Sequence, residues 1–360
     1  MKAQVLYGIG NIKLTNVDEP VPRKGEALVR VMCCGICGSD IPRIYKSGAH
    51  NMPIIPGHEF SGVVEKCKDK PALVGKRVGV FPLIPCRECS QCRAGHYEMC
   101  ENYDYLGSRS DGGFAEYVAV PIWNLVPLLD DVSFIEAAML EPMSVAVHSI
   151  KRAGLLDKKN NALPDCRERT IVICGLGTIG LLTCRFLLDA GYESVYVIGN
   201  KDIQKEKFIL MGGNPEYFCD VRYKDPIAFV MSASNNRGAD NYFECVGRPE
   251  NVEQAIKCTA PLGTLMLVGN PASDMELKKD TYWKILRKQM TVLGTWNSSY
   301  DGRGDRKKKT DDWQYVIDRL LYLKAGNLVT HVFDLEHMSR GLDIMKRKSE
   351  DYVKIMVKMV

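Results

Sequence analysis

Near the middle of the chain, residues 170–180 read Thr170-Ile171-Val172-Ile173-Cys174-Gly175-Leu176-Gly177-Thr178-Ile179-Gly180. The apolar run predicts a strand, and the segment after the glycines predicts a helix near 178–190. A G-x-G-x-x-G turn between a strand and a helix suits a dinucleotide, because glycine admits the pyrophosphate and the free N–H groups of the helix bind anions. All six residues from Gly175 to Gly180 are therefore candidate cofactor ligands. A glycine-rich turn without a ligand is the alternative.

The end of the next predicted strand bears on which dinucleotide would bind. It reads Val197-Ile198-Gly199-Asn200-Lys201. NAD sites usually have Asp or Glu here to bind the ribose 2′-hydroxyl, and this chain has Gly199 instead. The missing carboxylate removes a repulsion toward a 2′-phosphate, and a bond from Lys201 would shift the preference by roughly tenfold to a hundredfold. We expect Gly199, Asn200 and Lys201 to contact the cofactor and to favour NADP over NAD, unless Lys201 is only solvated.

Strands and helices alternate along the middle of the chain. This alternation predicts βαβ units around a parallel sheet, the doubly wound α/β arrangement. The predicted strands are Thr170–Cys174, Ser194–Ile198, Asp240–Glu244, Thr264–Val268 and Met290–Gly294, with helices near 178–190, 202–211, 225–235 and 250–259 between them.

The two ends of the chain have a different pattern of predicted elements. Short strands broken by Gly and Pro fill the first third, and a capped helix is predicted to start at Ser133. The last segment, predicted helical over 312–324 and extended over 352–357, breaks the alternation. We therefore predict a β-rich domain over 1–145, a dinucleotide-binding domain over 146–292, and a return of 293–360 to the first domain.

Four cysteines follow one another within fifteen positions, as Cys86-x2-Cys89-x2-Cys92-x7-Cys100. Four thiolates at this spacing can close a tetrahedron around one zinc, which leaves no open position and makes the site structural. An iron–sulfur cluster is disfavoured, because the last spacing differs from the usual bacterial pattern.

A second set of candidate ligands is spread over separate segments. Cys37 lies in Gly35-Ile36-Cys37-Gly38-Ser39-Asp40, and His58 and Glu59 lie in Gly57-His58-Glu59-Phe60. A catalytic zinc needs three protein ligands and one position for substrate or water. Glu59 is adjacent to His58, while Glu141 stands where the two predicted domains should meet, and the sequence leaves open which of them binds the metal directly.

Composition and charge give no sign of a nucleic-acid-binding, membrane or secreted protein. The net charge of +4, from 48 basic and 44 acidic residues, gives no reason to expect nucleic acid or a membrane as a partner. We find no signal-peptide pattern and no run of about 18 apolar residues. The fourteen cysteines then indicate a reducing compartment, so we expect a cytoplasmic protein. The basic run 303–309 is expected to be a solvated loop.

Taken together, these motifs resemble the medium-chain, zinc-containing alcohol dehydrogenase family over essentially the full length of the chain. Within that family the chain is most similar to the polyol branch, including enzymes for substrates such as galactitol 1-phosphate. The motifs that carry the resemblance are the two segments around Cys37 and His58, the four-cysteine lobe, Asp111-Gly112-Gly113-Phe114-Ala115-Glu116-Tyr117, Glu141-Pro142, the glycine turn, and the segments 39–50 and 284–296.

The resemblance implies a GroES-like catalytic domain built from both chain ends, a Rossmann domain between them, and a homodimer or homotetramer. It implies catalytic zinc at Cys37, His58 and a glutamate, with Glu59 the choice of the polyol branch. It also implies oxidation of a polyol or polyol phosphate by hydride transfer to NAD(P). Ser39, two residues after Cys37, is a candidate catalytic residue for passing on the alcohol proton, beside Glu59 and Glu141. Capping of the helix near Asp40 is the alternative role for Ser39.

Substrate contacts are harder to predict. Arg43, Lys46 and Arg109 are candidate partners of a substrate phosphate, because arginine binds phosphate through two hydrogen bonds and lysine as a point charge. Trp296 and Asn297 are further candidates, and Asn297 stands where sorbitol dehydrogenases have a polyol-contacting arginine. A sorbitol- or threonine-type dehydrogenase is therefore also compatible with the sequence. A zinc-free reductase of the same superfamily and a non-catalytic zinc- and dinucleotide-binding protein would each account for only part of the motifs.

Overall fold

The computed structural model describes residues 1–157, 159–271, 273–302 and 311–359. The chain divides into two compact units, unit 1 (Met1–Ser144 and Ser298–Val360) and unit 2 (Val145–Asn297). The predicted basic loop 303–309 lies outside the described residues. Within the described ranges, no helix has the length and apolar character that crossing a membrane would require.

Strands and helices are numbered in chain order. The strands are β1 (Lys2–Gly8), β2 (Asn11–Asn16), β3 (Glu26–Ile36), β4 (Glu59–Lys66), β5 (Arg77–Val80), β6 (Leu83–Ile84), β7 (Asp104–Tyr105), β8 (Tyr117–Pro121), β9 (Leu125–Pro127), β10 (Ile171–Cys174), β11 (Val195–Gly199), β12 (Phe218–Asp220), β13 (Ala239–Glu244), β14 (Thr259–Leu267), β15 (Thr291–Gly294), β16 (Val329–Asp334) and β17 (Lys354–Lys358). The helices are α1 (Asp40–Pro42), α2 (Ser90–Ala94), α3 (Phe134–Ala138), α4 (Leu140–Arg152), α5 (Thr178–Asp189), α6 (Asp202–Leu210), α7 (Pro226–Ala233), α8 (Pro249–Cys258), α9 (Lys279–Arg287), α10 (Asp312–Ile317), α11 (Leu320–Leu323) and α12 (Met338–Arg347).

Unit 2 is a six-stranded parallel sheet with the order β12-β11-β10-β13-β14-β15. This is the order of a doubly wound dinucleotide-binding sheet, which reverses direction between its first and fourth strands. The reversal falls at β10 and β13, so the glycine turn after β10 opens at the carboxyl edge of the sheet. Ligands of open α/β sheets bind at this edge.

Unit 1 is built on a mainly antiparallel sheet, in which, among the described strands, only β16 and β17 pair in parallel, and both ends of the chain contribute strands to it. Its order is β16-β17-β3-β4-β5-β9, and β8 also pairs with β3. The C-terminal strand β17 runs antiparallel to β3, with Met356 opposite Gly35. The core of the unit is apolar and includes Val29, Phe60 and Phe114, none more than 1% exposed. Segments far apart in sequence are thereby fixed side by side at the candidate metal site.

Several predicted elements differ from those observed. The strand β12 and the helix α9 have no counterpart in the sequence prediction; β12, with three residues, is too short to show a periodic pattern. The predicted helix over 312–324 is two short helices, α10 and α11. The second limit between the units follows Asn297 rather than residue 292, because β15 belongs to the sheet of unit 2.

Candidate active site

The four cysteines of unit 1 converge as the spacing predicts. All four Sγ atoms lie within 4.8 Å of one another, and the Cys86–Cys92 and Cys89–Cys100 separations are both 4.0 Å. Sulfurs bound at about 2.3 Å to a tetrahedral zinc lie roughly 3.8 Å apart. The observed spacing therefore fits a zinc ion held by four thiolates.

Backbone N–H groups of the same lobe hold the sulfurs. The N–H of Cys86 donates to Cys100 Sγ at 3.2 Å, and the N–H of Cys89 donates to Cys86 Sγ at 3.5 Å. Backbone hydrogen bonds lower the pKa of Cys89 to about 6, whereas burial raises the pKa of Cys92 to about 12. A bound metal would overcome the second effect, because a coordinating thiol is deprotonated outright.

The second ligand cluster comprises Cys37, His58 and Glu59. One ligand atom from each lies within 4.8 Å of the other two. Cys37 follows the end of β3, and Glu59 is the first residue of the neighbouring strand β4, with Gly35 opposite Glu59 in the register. The pairing of these two strands brings together residues that are about twenty positions apart in sequence.

The charges around this cluster fit a cation. Burial, with the nearby Glu59 and Asp40 carboxylates, raises the pKa of Cys37 to about 12. His58 is buried, and its Nδ1 has no hydrogen-bond partner among the described residues, although Asp40 Oδ1 is 3.6 Å away. A thiol, an imidazole and carboxylates crowded in a buried space are the donor set of a catalytic zinc.

Asp40 orders the loop that carries Cys37. Its side chain is fully buried, and its Oδ2 accepts a hydrogen bond of 2.9 Å from the Cys37 N–H. Its other oxygen accepts a hydrogen bond from Arg43. Asp40 therefore stands behind both His58 and Cys37, as carboxylates behind metal ligands commonly do.

Glu59 contacts a buried lysine from the far end of the chain. Lys354 Nζ donates to Glu59 Oε2 and, at 3.2 Å, to the carbonyl of Ile36. The pair crosses over the backbone of Gly35, where a Cβ would lie 2.2 Å from Glu59 Oε2 and 2.8 Å from Lys354 Cε. Lys354 thus balances the charge of Glu59 inside the ligand cluster.

Glu141 lies outside the three-residue ligand cluster. It is 7% exposed and its Oε1 accepts a hydrogen bond of 3.3 Å from the Tyr105 hydroxyl. Burial raises the pKa of Glu141 to about 7. The ring of Tyr105 also packs edge-on against His58, with 5.8 Å between ring centroids.

The hydroxyl of Ser39 points toward Cys37 rather than toward a helix end. Its Oγ donates to Cys37 Sγ at 3.3 Å, and it makes no side-chain cap on α1. The geometry thus favours a role at the ligand cluster over helix capping.

The three glycines of the G-x-G-x-x-G turn in unit 2 each have a different physical role. Gly175 has φ of +94°, a left-handed conformation that favours glycine. A Cβ on Gly180 would lie 2.0 Å from the Gly175 carbonyl oxygen, so the helix packs closely on the turn. A Cβ on Gly177 would meet nothing within 4 Å, which leaves open space above the N-terminus of α5. That space is where a pyrophosphate needs to approach the backbone.

The residues after β11 form a small polar surface. A Cβ on Gly199 would lie 2.7 Å from Gln204 Oε1, and the same oxygen accepts a 2.9 Å hydrogen bond from the Asn200 N–H. Lys201 immediately precedes α6. The acidic residue nearest in sequence, Asp202, is paired with Arg222, which also pairs with Asp220, the residue opposite Gly199 on β12.

The candidate substrate residues fall in different places. Arg43 is committed to Asp40, and Lys46 is exposed in the turn after α1. The guanidinium of Arg109 stacks on Tyr103 at 4.4 Å, and its buried Nε has no hydrogen-bond partner within the described ranges. Trp296, 54% exposed, and Asn297 follow β15 at the end of unit 2.

Sequence reasoning missed Lys354 and Tyr105. Lys354 interrupts an apolar run that ends in Ile355-Met356-Val357, and a lysine within such a strand is a signal of a buried ion pair. Tyr105 has no comparable signal in the sequence, because a tyrosine after a cysteine-rich segment does not predict any particular contact.

Comparison with known proteins agrees with this geometry. Residues 23–130 match the alcohol dehydrogenase GroES-like domain, and residues 135–359 match the glucose dehydrogenase C-terminus. Galactitol 1-phosphate 5-dehydrogenase of Escherichia coli strain K12 is 36% identical over 285 residues, which cover 78% of this chain and 78% of the relative.

Two crystal structures resemble the whole chain. Galactitol-1-phosphate dehydrogenase from Escherichia coli has a TM-score of 0.85 at 30% identity, covering 99% of this chain and 100% of its own. A zinc-binding dehydrogenase from Sinorhizobium meliloti 1021, bound to NADP, has a TM-score of 0.82 at 25% identity, covering 99% and 98%.

The chain therefore belongs to the medium-chain, zinc-containing alcohol dehydrogenase family. The predicted fold class, a GroES-like β-rich domain with a Rossmann parallel-sheet domain, is confirmed, and so is the resemblance to the polyol branch. The chain is an oxidoreductase whose family uses zinc and NAD(P). A non-catalytic role is thereby disfavoured.

Proposed function

We propose that the chain oxidises a secondary alcohol of a polyol or polyol phosphate to a ketose and transfers the hydride to a nicotinamide dinucleotide. The observation that carries this proposal is the cluster of Cys37, His58 and Glu59. Three ligands, unlike the four of the cysteine lobe, leave a coordination position open to substrate. The relative that acts on galactitol 1-phosphate supports a polyol phosphate as substrate.

The chain's own residues would have distinct roles. When bound, zinc supplies the Lewis acidity that lowers the pKa of an alcohol, and the dinucleotide accepts the hydride. Glu59, together with Cys37 and His58, would hold the metal. The hydroxyl of Ser39, 3.3 Å from Cys37 Sγ, would accept the alcohol proton while it releases its own toward the cofactor ribose and solvent. Glu141 would remain beside the ligand cluster as a second carboxylate.

For the cofactor we propose NADP in preference to NAD. A 2′-phosphate next to β11 would meet Gly199, Asn200 and Lys201 rather than a carboxylate side chain at the strand end. Arg222 pairs with both Asp202 and Asp220 beside this strand end, so it offsets the charge of one of these two carboxylates. The NADP bound to the Sinorhizobium relative supports this choice.

For a substrate phosphate, Arg109 is better suited than Arg43 or Lys46. The guanidinium of Arg43 already serves Asp40, whose buried charge would be left unpaired if Arg43 turned away. Arg109 has an unpaired Nε among the described residues and stacks on Tyr103, whose ring contacts that of Tyr105. The hydroxyl and ring of Tyr105 in turn contact Glu141 and His58.

We also propose that the chain forms a homodimer or homotetramer in a reducing, cytoplasmic compartment. β15 is the last strand in the sheet order of unit 2, and Val292 on it is 40% exposed. On the preceding helix α9, Trp283 and Leu286 are 49% and 60% exposed. Exposed apolar side chains on the last strand of a sheet and on the helix before it are typical of a subunit interface.

The test is steady-state kinetics with galactitol 1-phosphate, galactitol, sorbitol and threonine, each with NAD and NADP separately. We expect the highest kcat/KM for a polyol phosphate with NADP, and a Cys37→Ser variant should be inactive while it keeps the zinc of the cysteine lobe. Equal efficiency on galactitol and its phosphate would contradict a phosphate site. Oxidation of none of these alcohols would contradict the proposed function.

A further inference from the structure

Glu141 is a buried carboxylate held by a neutral partner. Glu59, the other buried glutamate of the site, pairs with the ammonium of Lys354, whereas Glu141 accepts a hydrogen bond from the Tyr105 hydroxyl. The two carboxylates differ in their place as well. Glu59 shares the ligand cluster with Cys37 and His58, and Glu141 lies outside it. Some contact must keep Glu141 from competing for the open coordination position.

Tyr105 contacts both Glu141 and the ligand cluster, through its hydroxyl and its ring. Its hydroxyl is 3.3 Å from Glu141 Oε1, and its ring lies edge-on to His58 with 5.8 Å between centroids. A shift of Tyr105 would therefore have two effects at once: it would release Glu141 and it would loosen the packing around His58.

The backbone of Tyr105 is fixed by the hairpin that closes the four-cysteine lobe. Tyr105 is the last residue of β7 and pairs with Leu83 of β6, and the lobe is the loop between these two strands. The carbonyl of Tyr105 also accepts hydrogen bonds from the N–H groups of Ser108, Arg109 and Ser110, at 3.1, 2.9 and 3.2 Å. The lobe thus supports the position of Tyr105 from one side and the following turn supports it from the other.

We propose that Tyr105 is a positioning residue that holds Glu141 outside the Cys37–His58–Glu59 ligand set and so keeps one coordination position open to substrate. The proposal rests on the catalytic metal site of the proposed function. It assigns the cysteine lobe a second task besides stability, because the lobe carries the strand that ends in Tyr105.

The test compares Tyr105→Phe with Tyr103→Phe. Tyr103 lies two residues away with its ring 6.2 Å from that of Tyr105, and among the described residues its hydroxyl makes no hydrogen bond to the site. In cobalt-exchanged protein, the visible absorption of the ion reports how many ligands the catalytic position has. In Tyr105→Phe, entry of Glu141 into the coordination position should weaken and shift this absorption. The cobalt absorption of Tyr103→Phe should match that of the unmodified chain.

Kinetics and a double-variant cycle complete the test. Because Glu141 would compete with substrate for the same position, loss of its hydrogen bond should raise the KM of Tyr105→Phe by roughly tenfold to a hundredfold, with kcat changed less. In a Glu141→Ala background, Tyr105→Phe should not change the cobalt spectrum further, because the carboxylate that would enter the coordination position is absent. An unmodified spectrum in Tyr105→Phe, or additive effects in the cycle, would overturn the proposal. If the unmodified chain gave no catalytic cobalt spectrum, the metal site itself would be wrong, whereas inactivity on polyols would leave the Tyr105 test intact.

Discussion

Lys354, in the last strand of the chain, places its ammonium against the Glu59 carboxylate, and both side chains are buried. The two residues are 295 positions apart, so only the pairing of β17 and β4 on either side of β3 brings them together. A buried ion pair of this kind is weak evidence for stability but is costly to break on one side only. Its position at the Cys37–His58–Glu59 cluster indicates that it sets the charge and the orientation of Glu59.

Replacing Gly35 with alanine should displace this pair. The new Cβ would lie 2.2 Å from Glu59 Oε2, a separation that real side chains do not tolerate. We expect Gly35→Ala to lose the metal of the Cys37 site while it keeps that of the cysteine lobe, so metal analysis should show a fall of one zinc per chain. Gly8→Ala is the matched control, because a Cβ there meets nothing within 4 Å. Full zinc content in Gly35→Ala would contradict this prediction.

Replacing Lys354 with methionine should destabilise the metal-free protein more than the metal-loaded one. Without zinc, the variant leaves Glu59 as a buried charge with no cation, which typically costs about 3–5 kcal/mol. With zinc bound, the metal supplies the missing positive charge. Urea unfolding with and without a chelator measures the difference, and Lys358→Met, at the exposed end of the same strand, is the control. An equal loss of stability in both forms would argue against a charge-balancing role for Lys354.

The fold of unit 2 follows from the sequence because its signals are local. Residues 170–180 carry a buried strand, a turn that needs glycine and a helix start in one stretch, and the alternation around them fixes a parallel sheet. The cysteine lobe is equally local. Both sets of residues can be recognised without knowing any contact between distant segments.

The motifs around Cys37 and His58 predicted the second ligand cluster, but the choice of glutamate and the side chains that support the ligands depend on contacts between distant segments. Spacing alone cannot distinguish Glu59 from Glu141 as a metal ligand, since the difference lies in which carboxylate the pairing of β3 with β4 aligns beside Cys37. The roles of Lys354 and Tyr105 depend on partners 295 and 36 positions away. Hydrophobic periodicity carries no information about such pairs.

The stability of unit 1 should depend on pH through Asp311. Its Oδ1 accepts a 2.7 Å hydrogen bond from the N–H of Gln314 at the start of α10, and burial raises its pKa to about 6 from the usual 3.8. The folded state therefore binds this proton more tightly than the unfolded state, so the contribution to stability is complete below pH 3.8 and is lost as the pH rises to about 6. Asp311→Asn, which keeps the capping oxygen, should show a smaller fall in unfolding free energy across that window. Parallel curves for the two proteins would rule this out.

The glycine turn offers two substitutions that should separate folding from cofactor binding. A Cβ at Gly180 would lie 2.0 Å from the Gly175 carbonyl, so Gly180→Ala should destabilise the protein by about 1–3 kcal/mol, as overpacking usually does. Thermal unfolding without cofactor measures this loss. A wild-type melting temperature in Gly180→Ala would show that α5 can move away from the turn without cost.

Gly177→Ala should weaken cofactor binding and leave the stability of the protein almost unchanged. Its φ of −77° suits alanine and a Cβ there meets nothing within 4 Å, so the unfolding free energy should change by less than about 0.5 kcal/mol. The added methyl group would nevertheless occupy the space that a pyrophosphate needs above the N-terminus of α5. We expect the Kd for NADPH, measured by fluorescence titration, to rise at least tenfold, which corresponds to about 1.4 kcal/mol. Unchanged affinity in a stably folded Gly177→Ala protein would mean that the dinucleotide does not bind at this turn.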